Sequence, residues 1–180
     1  MLNFKRKMKE REYKKYIEEH KENIRDAFVE LSTCPDLDWL ITADLSCKLY
    51  QRILIHDDSK YSDEEFCAYR LYYYPTDKYE KILGSLVIDK AFEHHYQTNR
   101  HHWQARQYDE DELTEEYILD CLENICDWLA MGYKFNDRPI QYYNKIKEQI
   151  KLPVSQRIFM ERVMNDLEKT KRDMSQYGKI

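Results

Sequence analysis

Only three glycines and four prolines interrupt these 180 residues. Chain breaks are therefore scarce, and long uninterrupted elements are expected. Between the breaks, apolar residues recur every three or four positions, and no sustained alternation of period two is visible. The remaining stock of Lys, Glu, Asp, Leu and Ile favours helix. The fold class expected is all-α: a single-domain helical bundle of about seven helices.

The spacing predicts a first helix over 8–33, carrying Tyr16, Ile17, Ile24, Phe28 and Leu31, and broken by Cys34-Pro35-Asp36. A second runs from 37 to 55. His56-Asp57-Asp58-Ser59-Lys60 reads as a polar turn, and Ser62 with Glu65 reads as a capping box opening a third helix through Tyr74. Pro75 ends it. A fourth spans 78–98 and tolerates Gly84, and 99–111 is loop-like. A fifth runs from 113 to 131, stopping at Gly132; two more cover 138–150 and 154–174, parted by Pro153. One domain over 1–180 is expected, with a core at 8–133 and a C-terminal helical extension at 134–180. That extension is expected to cover the core or to make a homodimer contact.

Hydrophobic residues at 42% can fill a core, and the net charge of −5 argues against general coating of nucleic acid. No run approaches the ~18 apolar residues of a membrane span. The opening stretch Met1–Lys7 is basic but lacks the apolar run of a secretion signal. Five cysteines, odd in number and without CxxC spacing, read as reduced thiols. The expectation is a cytoplasmic protein without a membrane partner.

Four of the six histidines fall between 94 and 102, and a fifth, His56, is joined to Asp57. Neutral imidazole is the commonest side chain for a divalent transition metal, and a neighbouring carboxylate supplies charge. His56 and Asp57 stand where a helix gives way to a turn, so both can swing toward one ion. Lys60 follows three residues later, within reach of a phosphate oxygen. In His94-His95-Tyr-Gln-Thr-Asn99-Arg100-His101-His102-Trp103, one histidine of each pair can face inward, and Asn99 and Arg100 offer donors to an anion. His20 lies on the first helix beside its apolar face. Asp127 is an acidic residue in an apolar stretch, where burial is costly unless a partner or metal is present. Asp120 and Glu123 are its alternatives. The sixteen tyrosines, with Trp103 and Trp128, read chiefly as core packing with hydroxyls at the rim, and secondarily as stacking surfaces.

In order, His20, His56-Asp57, histidines near 94 and 101, and Asp127 resemble the HD superfamily of metal-dependent phosphohydrolases. His56-Asp57-Asp58-Ser59-Lys60 is similar to the HD-x-G-K motif of its HD-GYP branch, with Ser59 in place of glycine. The Gly-Tyr-Pro signature is absent, so cyclic dinucleotide specificity is not implied. Residues 13–133 also resemble a small uncharacterised family of bacterial and phage proteins. Its pattern is Tyr-Ile-x-x-His (16–20), His-Asp-x-Ser-Lys (56–60), Glu-Phe (65–66), Ala-Phe-x-His-His (91–95), Asn-x-His-His-Trp (99–103) and Asp-Trp (127–128).

The HD resemblance implies one or two divalent transition metal ions (Mn, Fe, Co, Ni or Zn). His20, His56, Asp57 and Asp127 would hold one, and Asp57 would bridge to a second on one of His94/His95 and one of His101/His102. Lys60 and Arg100 would steady developing charge, and Asp58 or Glu64 would take a proton. The implied substrate is a small phosphate ester, nucleotide-like, touching Lys60, Asn99, Arg100 and Trp103. The same ligand order occurs in HD-fold di-iron oxygenases, which is the first alternative. A non-enzymatic binding protein with a structural metal is the second.

Overall fold

The computed structural model describes residues 2–177, with side chains over 3–170. Among the described residues there are seven α helices, three short 3-10 turns and no strand. The helices are α1 (Leu2–Ser32), α2 (Ala43–Ile55), α3 (Phe66–Tyr73), α4 (Lys78–Thr98), α5 (Glu115–Phe135), α6 (Pro139–Ile146) and α7 (Val154–Tyr177). The all-α expectation holds. Among the described residues, no helix is long and apolar enough to cross a membrane. Residues 178–180, at the end of the expected C-terminal extension, lie outside the described residues.

The chain forms two compact units. The first comprises Met1–Glu22 and His56–Arg100; the second comprises Asn23–Ile55 and His101–Ile180. Tyr13, Ile17, Ala68, Tyr69, Ile88 and Ala91 make the core of the first, with Phe66, Tyr74 and Phe92 packed on it. Aromatic rings therefore fill much of this unit's core. Helices α3 and α4 pack against each other here. A Cβ built on Gly84 would lie 2.6 Å from the Leu71 carbonyl carbon and the Tyr72 nitrogen. Gly84 is thus no helix defect to be tolerated. It is the point where the α3 backbone rests on α4.

The second unit is built around α5, where every residue from Leu119 to Ala130 is buried. A helix covered on all sides must hold its polar groups against partners rather than water. Its apolar neighbours include Leu45, Leu49 and Ile53 of α2, Tyr143 of α6, and Phe159, Met160, Val163 and Leu167 of α7.

Several local expectations differ from the structure: α1 begins at Leu2 rather than residue 8, and α6 ends at Ile146 rather than residue 150. Helix α5 does not stop at Gly132 but runs to Phe135, and Asn136, at φ 52°, turns the chain in the left-handed region. Gly132 instead leaves room for the Asp137 carbonyl oxygen, which a Cβ would meet at 2.3 Å. Residues 38–42 are not helical, and α2 begins at Ala43. Glu65 precedes α3 but does not cap it, because its carboxylate is committed to two histidines.

Candidate metal centre

In the first unit the site grows from one backbone irregularity. Helix α2 ends at Ile55, and Asp57 adopts φ 58°, one of two non-glycine residues with positive φ among the described residues. Consecutive side chains on a straight helix diverge by about 100°. The left-handed step brings His56 and Asp57 together instead, with His56 Nε2 3.5 Å from Asp57 Oδ2. His20, on α1, places its Nε2 3.6 Å from the same oxygen. His95, near the end of α4, places its Nε2 3.3 Å from Asp57 Oδ1. Lys60, in the 3-10 turn Asp58–Tyr61, donates its ammonium to Asp57 Oδ2. His20, His56, Asp57 and His95 are all buried.

Rings and carboxylates behind this set fix its orientation. The Tyr16 ring stacks on His20, and the edge of Tyr69 meets His95. Glu65, wholly buried, accepts from His94 Nδ1 at 2.8 Å and from His95 Nδ1 at 2.9 Å. Asn99 donates to Ser59 Oγ at 2.8 Å and to the His95 carbonyl at 2.8 Å, tying the end of α4 to the turn after Asp57. Burial pushes the Asp57 carboxyl upward, but Lys60, His56, His20 and His95 outweigh it and hold the group well below the usual carboxylate range. Glu65 is likewise raised by burial and lowered more strongly by His95 and His94. Both carboxylates are therefore ionised near neutrality.

Spacing is the test of whether a metal fits. Ligand atoms about 2.0–2.2 Å from a shared transition metal lie roughly 3–3.6 Å from one another. The distances from His20 and His56 to Asp57 Oδ2, and from His95 to the other oxygen, Oδ1, each fall in that range. The donor set, imidazole nitrogen and carboxylate oxygen, suits a divalent transition metal.

The second unit holds its own set. His101, His102 and Asp127 bring ligand atoms within 4.8 Å of one another. His101 Nδ1 lies 3.2 Å from Glu123 Oε1. Arg52 pairs with Asp120 at 2.6 Å, with Glu116, and more loosely with Glu123 at 3.7 Å. The two alternatives to Asp127 thus have other work: Asp120 anchors Arg52 and Glu123 backs His101. Arg106, fully buried, donates to the His101 carbonyl at 3.0 Å and to Gln156 Oε1 at 2.7 Å. The Asn124 amide donates to that same carbonyl at 3.1 Å and accepts from Trp128 Nε1 at 3.2 Å.

One family model, described as a family of unknown function (DUF5662), matches residues 9–173. The chain belongs to the DUF5662 family. No curated protein and no solved structure matches it.

Buried His/Asp groups able to hold a metal are thus present in this DUF5662 chain. Of the remaining expected residues, His94 is partly exposed and turns its Nδ1 to Glu65. Asp58, half exposed, pairs with Lys21. Arg100 is exposed, and Trp103 is half-buried against the apolar core of the second unit. Sequence reasoning missed Glu65, Glu123 as a histidine support, and Arg106. Glu65 sits in the acidic run Asp63-Glu64-Glu65, and only its place in the Glu-Phe pattern set it apart.

Proposed function

We propose that this DUF5662 chain is a metal-dependent phosphohydrolase of the HD kind, acting on a nucleotide-like phosphate ester. The observation that carries the reading is the convergence of His20, His56 and His95 Nε2 on one buried carboxylate, Asp57. Were all three rings protonated, they and Lys60 would set four positive charges against Asp57 and Glu65. Neutral rings leave the two carboxylates opposed by Lys60 alone, and a divalent ion would supply the positive charge that the rings do not carry.

Bound there, such an ion supplies Lewis acidity to a phosphoryl oxygen and to water. The protein's own groups do the rest. His20, His56 and Asp57 would hold the ion at Oδ2, His95 would meet the other oxygen of Asp57, where a second ion would sit, and Glu65 keeps the His95 proton on Nδ1 so that Nε2 presents its lone pair. Lys60 is a compact ammonium on a flexible stem, already at Asp57, and can shift toward a phosphate oxygen as charge develops. Arg100, exposed at the end of the same unit, offers a forked donor to the ester. His101, His102 and Asp127 of the second unit supply the donor types for a further ion.

Elemental analysis of chelator-free protein, beside His56→Ala and Asp57→Ala variants, tests this. One to two equivalents of manganese, cobalt, nickel or zinc, lost in the variants, with phosphatase activity on a nucleotide panel that Lys60→Met lowers, is the expected result. Two equivalents of iron with dioxygen-dependent turnover would transfer the site to the oxygenase chemistry. A protein that takes up no metal from any of these salts is not an enzyme of this kind.

A further inference from the structure

Helix α4 is built inside out. The residues it buries are Glu80, Gly84, Ile88, Ala91 and His95, of which only Ile88 is a large apolar side chain. Apart from Phe92, which packs on the core, its larger apolar residues point the other way. Tyr79, Ile82, Leu83, Leu86 and Val87 are exposed, Leu86 to 74 % and Tyr79 to 68 %. Their spacing, i, i+3, i+4, i+7 and i+8, makes one continuous stripe. A lone exposed leucine means nothing. Five large side chains on one helical face make a patch on the order of 500 Å², toward the upper end of what a single chain exposes and a size that is often functional.

We propose that this face of α4 is a homodimer interface, in which α4 packs antiparallel against α4 of a second copy. Three features favour a second copy over another occupant. First, the charges flanking the stripe are arranged end to end: Lys78 stands at the start, Asp89 and Glu93 toward the end, all exposed. A two-fold axis near Leu83 and Leu86 sets Lys78 of each copy against Asp89 and Glu93 of the other, and Lys90 against Tyr79 and Asp77. A parallel arrangement would oppose like charges instead. Second, the apolar patch of about 500 Å² could form the apolar centre of an interface of the standard ~800 Å² per partner, with the flanking charges as its rim. Third, Asp89 and Glu93 stand where an anionic membrane surface would require bases. This places a dimer contact on the first unit, beside the expectation that the C-terminal helices cover the core or make one. The inference rests on no metal and no reaction.

Sedimentation velocity over a wide concentration range tests it, with circular dichroism as the control for folding. The full chain should sediment as a dimer. Leu86→Glu should raise the dimer dissociation constant about 100-fold with helix content unchanged, since the side chain touches little in the monomer. Ile82→Lys serves as a second, independently exposed disruption. Lys78→Glu alone and Asp89→Lys/Glu93→Lys alone should each weaken the dimer. Mixed in equal amounts they should restore it, because the heterodimer recovers both sets of opposite charges. A wild-type chain that is monomeric at every concentration overturns the proposal. So does a dimer indifferent to Leu86→Glu and Ile82→Lys, and so does a mixture no tighter than its components.

Discussion

Glu65 and His95 make a hydrogen bond of 2.9 Å through Nδ1, and the other ring nitrogen of His95 lies 3.3 Å from Asp57 Oδ1. An ionised carboxylate only accepts, so the proton on that bond belongs to Nδ1. In a neutral ring, Nε2 then turns a lone pair toward a second carboxylate. Two acceptors at that distance repel unless a cation lies between them. A carboxylate behind a histidine that faces a metal fixes the tautomer and raises the basicity of the ligand.

Glu65→Gln is therefore expected to lower metal affinity about 10- to 100-fold. His94→Ala, which removes the other ring on Glu65, should cost much less. Competition titration with a chromophoric chelator measures both, and the visible spectrum of the cobalt form reports the change in His95. Equal affinity and an unchanged spectrum in Glu65→Gln would sink the role given to Glu65 while leaving the metal centre standing.

The histidines were legible because uncommon residue types recur in a short span, and no surface pattern calls for them. Their carboxylate supports were not. Glu65 meets histidines about thirty positions away, and Glu123 meets His101 across the body of a helix and a loop. Nothing local marks either as buried. The all-α class followed from periodicity, which is a property of neighbours in sequence. The ends of α5 and the outward face of α4 depend on what packs where, and each reduces to a glycine whose missing Cβ admits another backbone. Gly132 looked like a stop and Gly84 like a defect; both are contact points.

Gly84→Ala sets two effects against each other. Alanine favours an α-helix interior over glycine by about 1 kcal/mol. The added Cβ, however, would lie 2.6–2.7 Å from backbone atoms of Leu71 and Tyr72, which cannot rotate away. Forcing α3 off α4 costs roughly 3 kcal/mol, so the net expectation is a loss of about 2 kcal/mol in urea unfolding. Ser85→Ala, exposed on the same helix, is the control and should be close to neutral. A stabilised Gly84→Ala protein would mean that the two helices do not meet at that point.

Asn136 ends α5 at φ 52°, and its backbone N–H returns to the Gly132 carbonyl. The residue is exposed, so its substitution reads backbone strain with little packing. Asn136→Ala should cost about 1 kcal/mol, and Asn136→Gly should be neutral or slightly stabilising. Thermal unfolding of the three proteins orders them Gly ≥ Asn > Ala. Any order with Ala at the top contradicts the left-handed cap.

Glu80 gives the pH dependence its sharpest test. Its carboxylate accepts from Arg70 at 2.6 and 3.1 Å, from the Thr76 backbone N–H at 2.9 Å and from Arg6 at 3.3 Å. Arg70 foremost, with Thr76, lowers the carboxyl from its ordinary 4.5 to about 2. A group depressed in the folded state adds stability that is complete above its unfolded value and is lost as pH falls through its folded value. The window is therefore from about pH 4.5 down to about 2, and the contribution at neutral pH is on the order of 3 kcal/mol. Glu80→Gln should be less stable than wild type near neutrality, and the gap should close as the wild-type carboxyl protonates. Asp57 and Glu65 are depressed too and survive in the variant, so both proteins lose stability in acid and only their difference isolates Glu80. Denaturant midpoints of the pair across that range decide it. A difference that does not change with pH would mean that Glu80 stabilises by shape and neutral hydrogen bonds, not by its charge against buried Arg70.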